Sequence, residues 1–183
     1  MASTLRTPTV YQAIRNASPV GQINRFVLPS SLRRHVERLA AFPRGLLPIG
    51  DVICRFNPAF GQGMSVAAQE AVVLAQVLES RAGDPDPLDG LATRFFAGIQ
   101  DVLISPWSAA ESDLVYPKTR GTRPPDFERR LQYGAALSRL AADDPALHKE
   151  WTEVAHLIKP AAVLRTPELV GRVTESMRRQ DLA

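Results

Sequence analysis

Asp51 follows Gly50 and precedes a glycine turn, Phe56-Asn57-Pro58-Ala59-Phe60-Gly61-Gln62-Gly63, that opens into an Ala-rich stretch ending near Glu79. These residue types at this spacing suit one kind of chemistry. A helix N-terminus presents free N–H groups and the positive end of the helix dipole. Glycines let a ligand approach the backbone closely or give the chain a positive φ. A carboxylate nearby accepts hydrogen bonds from a sugar or polyol hydroxyl. Together they make a place for a phosphate or the polar edge of a ring. Asp51 has a second use, tying down the following turn through backbone N–H groups, and Gly61 and Gly63 have one as an ordinary tight helix entry. The residues alone leave both uses open.

Other candidate groups are weaker. His35, His148 and His156 are dispersed, and the single cysteine, Cys54, sits among apolar neighbours beside Arg55. No paired His or Cys cluster suggests a metal, so none is expected. No G-x-S-x-G is present, so a hydrolase nucleophile elbow is excluded. Ser65 has no His or acid placed near it in the sequence. Trp107 and Trp151 read as core anchors, and no side chain is an evident catalytic acid or base.

The elements that must position Asp51 and the turn are a strand and a helix. Leu46 to Ile53 is a short continuous apolar run, expected as a strand buried on both faces, although Pro48 cannot donate to a central ladder. From about Met64 to Glu79 the pattern is helical. Its polar residues Gln62, Ser65, Gln69, Gln76 and Glu79 form a narrow stripe with Glu70 just beside it, and the rest is Val, Ala, Leu or Met. A helix so apolar is expected to be buried on most sides, against a sheet and further protein. Upstream, Thr7-Pro8 starts a helix to about Asn16 with Val10 and Ile14 inside. Gln22 to Leu28 alternates at Ile23, Phe26 and Leu28 as a strand, and Pro29-Ser30-Ser31 starts a helix carrying Leu32, Val36 and Leu39. Downstream, a helix from Leu88 to Leu103 is expected to end at Ser105-Pro106-Trp107, with loop from Ala110 to Pro125. Three helices then follow: Phe127 to Ala142, one capped by Asp144-Pro145, and one capped by Thr166-Pro167. The last is expected to fray over Arg178 to Asp181. The fold class is α+β, mostly helical.

The chain has 183 residues, 45% hydrophobic and 22% charged, with net charge +3. That is an ordinary globular balance. No run reaches the roughly 18 apolar residues of a membrane span, and the N-terminus lacks a signal-peptide core. A lone cysteine excludes an internal disulfide and fits a reducing, cytoplasmic setting. The mild positive charge comes with no Lys/Arg tract, so nucleic acid is not expected as a partner.

The run GDVICRFNPAFGQGMSVAAQEAVVLAQVL resembles the second flavin-binding motif of FAD-dependent aromatic-ring hydroxylases and squalene-epoxidase-like monooxygenases. Val52 stands where Ala is commoner in that motif, and Ser65 where Asn is common. The flanks resemble the family less specifically, at Tyr11 to Val27, Pro43 to Leu47, Pro106-Trp107 and Tyr116-Pro117. The resemblance implies the C-terminal portion of a Rossmann-type FAD-binding fold: strand, turn and buried helix, then a helical region. It implies that Asp51 bonds the ribityl chain with Gly50 close by, and that Pro58 shapes the turn over the flavin. It further implies that backbone amides at Gly61, Gln62, Gly63, Met64 and Ser65 meet the pyrimidine edge of the ring. Residues 1–44 would be a remnant of a substrate domain, 45–81 the flavin motif and 82–183 the helical region. The parent reaction uses NAD(P)H as transient reductant and places an oxygen atom on a small organic substrate. The N-terminal G-x-G-x-x-G unit that holds the ADP half of FAD does not occur here. The expectation is therefore a C-terminal fragment or split part, inactive alone, that needs an N-terminal FAD-binding half in cis or as a separate chain. The alternative is a non-enzymatic helical interaction domain derived from that fold.

Overall fold

The computed structural model describes all residues except 1, 6, 19, 23, 29, 182 and 183. It is mostly helical, with a two-stranded sheet. Helix α1 is Thr9–Ile14, β1 is Leu32–Arg33 and β2 is Cys54–Arg55. Helices α2 (Gly63–Glu79), α3 (Leu91–Gly98) and α4 (Gln100–Glu111) follow, then α5 (Phe127–Asp143), α6 (Pro145–Ala155) and α7 (Pro167–Asp181). The strands pair antiparallel, Leu32 opposite Arg55 and Arg33 opposite Cys54.

Two apolar clusters organise these elements. The first gathers Ile53, Cys54, Phe56, Val66, Phe95, Phe96, Ile99, Leu103 and Ala110, with Phe42, Phe60 and Trp107 against it. The second gathers Ala136, Leu137 and Ala141 of α5, Leu147 and Val154 of α6, Leu164, and Leu169 and Val173 of α7. Trp151 packs on this second cluster, so both tryptophans do anchor cores.

The C-terminal helices begin where their caps were expected. Asp144 accepts from Leu147 N at 3.1 Å ahead of Pro145, and Thr166 Oγ1 accepts from Leu169 N at 3.3 Å ahead of Pro167. Each cap supplies an acceptor for an N–H that has no partner inside the helix. Helix α7 remains helical to Asp181.

The N-terminal expectations need correction. Helix α1 is shorter than expected, and Val10 (52% exposed) and Ile14 (50%) face outward. Residues 24–28 form no strand, and Phe26, Val27 and Leu28 are exposed. The expected helix over Leu32 to Leu39 is instead β1 and a 3₁₀ turn, Val36–Arg38. Ile23 and Pro29, which those two readings used, lie outside the described residues. Helical spacing of three apolar residues is a weak signal when the chain can also pair as a strand.

The strand expected over Leu46 to Ile53 is likewise absent. Residues 46–49 lie outside any strand, and Gly50–Val52 is a 3₁₀ turn. Strand pairing begins only at Cys54. Ile49 has extended backbone (φ −146°, ψ 154°), but no neighbouring strand meets the segment among the described residues. A strand is defined by a partner, and Pro48 removes one donor from this stretch. Farther on, the helix expected over Leu88 to Leu103 breaks at Ile99, and α4 continues through Pro106 to Glu111. Proline removes one intrahelical bond, and burial of Pro106 in the core accompanies the continued helix.

Candidate functional site

The turn before α2 is set by glycine and by the side chains of Arg34 and Asn57. Gly50 has φ +66°, and a Cβ built there would sit 3.6 Å from the Ala67 side chain. Arg34 Nη1 donates to Val52 O at 2.7 Å and to Asp51 O at 3.4 Å, closing the far side of the turn. Asn57 Oδ1 accepts from Ala59 N at 3.0 Å, and Pro58 opens the second 3₁₀ turn, Pro58–Phe60. Gly61 ends that turn in the left-handed region, φ +67°. Pro58 and Gly61 thus shape the entry to α2.

At the helix start, the first bond runs from Val66 N to Gln62 O at 3.0 Å, and Gln62 gives no side-chain cap. The N–H groups of Gly63, Met64 and Ser65 precede that bond, the ordinary orphan donors of a helix N-terminus. Asp51 lies beside them, since a Cβ at Gly63 would be 3.8 Å from Asp51 Oδ1. Met64 is 88% exposed and Ser65 is exposed. Gln62 turns inward: its Nε2 donates to Ala155 O at 3.0 Å, while its Oε1 is buried without a partner.

Asp51 departs from expectation in one respect. It is exposed rather than desolvated at a buried strand end. Its carboxylate takes no hydrogen bond or ion pair among the described residues, so it does not tie down the turn that follows.

The buried acid is Glu70, which sequence reasoning placed beside the polar stripe and gave no role. It is fully buried and accepts from Gly50 N at 2.5 Å through Oε2. Burial raises its pKa and Asp51 adds to the rise, while the Gly50 hydrogen bond opposes it. A signal was present: Val66, Glu70, Val73 and Val77 fall on one helical stripe, so the core-facing side of α2 carries a carboxylate. Cys54 is buried, and burial pushes its thiol up to about 12. It is a core thiol, and an unreactive one.

Helix α2 itself is less covered than expected. Val66 and Glu70 are buried, but Met64, Ala68, Ala71, Val72, Ala75 and Leu78 are exposed along one side. Elsewhere, a cleft of about 220 Å³ is lined by Phe42–Leu47 and Leu88–Thr93 and contains none of the predicted site residues. No group of acidic, His or Cys side chains among the described residues could hold a metal. No helix among them is long and apolar enough to cross a membrane.

No family model matches the sequence. Protein Rv3254 of Mycobacterium tuberculosis is 39% identical to it over 69 residues. The match covers 38% of this chain and spans 15% of that protein.

The groups at the α2 start suit part of a flavin cofactor. Three backbone donors would suit a polar acceptor edge, and a carboxylate with no hydrogen-bond partner among the described residues would suit hydroxyl donors. The left-handed Gly61 leaves the approach clear, with nothing within 4 Å of a Cβ built there.

Proposed function

We propose that this chain supplies the flavin-ring side of the FAD site of an FAD-dependent, NAD(P)H-using monooxygenase of the hydroxylase or epoxidase type. The adenosine-binding part of that site would come from another stretch of polypeptide, in cis or as a separate chain. The reading implies the late portion of a Rossmann-type FAD fold and a small organic substrate. The observation that carries it is the free Asp51 carboxylate beside the uncapped start of α2.

In this reading Asp51 accepts hydrogen bonds from the ribityl hydroxyls, and Gly50 permits the turn that presents it. The N–H groups of Gly63, Met64 and Ser65 donate to the pyrimidine edge, and Gly61 and Gln62 shape the backbone ahead of them. The helix end favours negative charge on the ring by about 0.3–2 kcal/mol. Bound FAD would supply the hydride and oxygen chemistry; the side chains here orient it and set the local field. Pro58 holds the turn that would lie over the ring.

A helical interaction domain is the second reading, favoured by the exposed apolar side of α2. Such a domain has no use for Asp51 and the helix start together.

Riboflavin and ADP separate the readings. Titrated into isotope-labelled chain up to its solubility limit, riboflavin is expected to shift the amides of Gly50, Asp51 and Gly61 to Ser65. ADP is expected to leave them unmoved, and D51A to abolish the riboflavin shifts. Riboflavin shifts confined to other residues, or none at saturation of the solvent, would remove the flavin reading.

A further inference from the structure

Glu70 is the one fully buried carboxylate near the turn, and it does not belong to the ligand groups just described. It reaches from the core side of α2 to the N–H of Gly50, the residue whose positive φ starts the turn. Asp51 is the next residue. The position of the Asp51 carboxylate at the helix start therefore depends on a bond made by a different acid, 20 residues away in sequence.

The other oxygen of Glu70, Oε1, is buried and has no hydrogen-bond partner. A neutral carboxyl tolerates that position at the cost of one unsatisfied polar atom. An ionised one leaves an uncompensated charge in the core, which is far more costly. The acidic group facing it from the turn is Asp51, which repels the ionised form. From β2 it faces the Cys54 thiol, which is neutral at physiological pH. Ionisation strengthens the bond to Gly50 N, but that gain is smaller than the effect of burial, whose direction dominates.

We propose that Glu70 is the positioning residue of the Gly50–Asp51 turn and a proton-operated latch. With its carboxyl neutral it holds the turn against α2; with it ionised the turn loosens and Asp51 moves from the helix start. This concerns the turn itself and stands whatever the site binds.

The sign follows from linkage. A folded-state pKa above the ordinary glutamate value of 4.5 gives stability that is fully present below that value. It is lost as pH rises through the folded value.

The test is an NMR titration of the labelled full chain, following the Gly50 amide and the glutamate side-chain carbons. The Gly50 shift is expected to titrate with Glu70, with a midpoint above 4.5. Its hydrogen exchange, corrected for base catalysis, should rise through the same midpoint. Above the midpoint, exchange should be faster than in E70Q, which keeps the acceptor without the charge, by about tenfold for each unit that the Glu70 midpoint lies above 4.5. E70Q should show no titration at Gly50, and D51N should keep the titration with a lowered midpoint. A Gly50 titration that persists in E70Q assigns the effect to Asp51 and overturns the latch. So does a midpoint at the ordinary value, or exchange that ignores pH in the unmodified chain.

Discussion

Helices α5, α6 and α7 cover one another, whereas α2 covers only one of its own sides. In the C-terminal set, Leu137, Leu147, Val154, Leu169 and Val173 meet in one cluster, and Tyr133 closes it by donating to Leu164 O at 2.9 Å. The starts of α6 and α7 are capped by side chains. In α2 the buried stripe is narrow and contains a carboxylate, the N-terminus is uncapped, and the opposite side is apolar and exposed. Residues 46–49 just before its turn have no strand partner among the described residues, and Leu46 and Ile49 are exposed. The C-terminal set is built to stand on its own contacts. The turn and α2 carry exposed apolar surface and helix-start N–H groups without a side-chain cap.

The largest expected effect tests whether these regions are energetically separate. Phe95 is fully buried in the first cluster, and F95A should cost about 3–5 kcal/mol there. Hydrogen exchange should show α2 to α4 losing protection while α5 to α7 keep most of theirs. Equal loss in both regions would make the molecule one cooperative unit and end the comparison.

A smaller effect lies in the seam. Gln62, just before α2, and Gln69, within it, donate to Ala155 O and Leu157 O, both at 3.0 Å, and Leu157 holds a positive φ of 59° while packing on the first cluster. Q62A removes the first tie and strands a carbonyl, at a cost of about 1 kcal/mol. That figure is the low end of the range for such a loss, because the unpaired Oε1 of Gln62 disappears as well. In denaturant unfolding, Q62A with Q69A should separate the transitions of the two regions further. An unchanged midpoint in the double variant would mean that Leu157 packing alone joins them.

How much of this was legible in the sequence depended on how local the determining physics is. The caps at Asp144-Pro145 and Thr166-Pro167 and the span of α2 follow from neighbouring residues, and the structure has them where expected. The apolar run from Leu46 was read as a strand because hydrophobicity is local, but the ladder that makes a strand is not. The helix expected at Leu32 to Leu39 failed for the same reason: β1 exists because Cys54-Arg55 pairs with it. In the candidate site, Gly61 takes the positive φ that its residue type permits and α2 starts beside it, whereas Gly50, expected within a strand, opens a 3₁₀ turn. The strand expected to be buried on both faces does not enclose Asp51, since the acid sits on a turn open to solvent. Glu70 escaped notice because its role depends on Gly50 coming within hydrogen-bond reach from outside the helix, a tertiary fact that no window around either residue contains.

The smallest effect on stability is the sharpest test of what α2 is for. Val72 is 57% exposed and Leu78 42% exposed on its outer side. Replacing both with lysine should change stability by no more than about 0.5 kcal/mol, the usual range for exposed positions away from special contacts. Lysine is also a slightly better helix former than valine. The change should appear in solution behaviour instead. Two charges on the apolar side should lower concentration-dependent light scattering, because large exposed apolar patches favour association. A thermal midpoint unchanged alongside reduced scattering would establish the outer side of α2 as a surface free of internal contacts. A loss above about 1 kcal/mol would mean that Val72 and Leu78 are already covered within the chain. The surplus apolar area that distinguishes α2 from the C-terminal helices would then be much smaller, and the case for a covering segment would weaken with it.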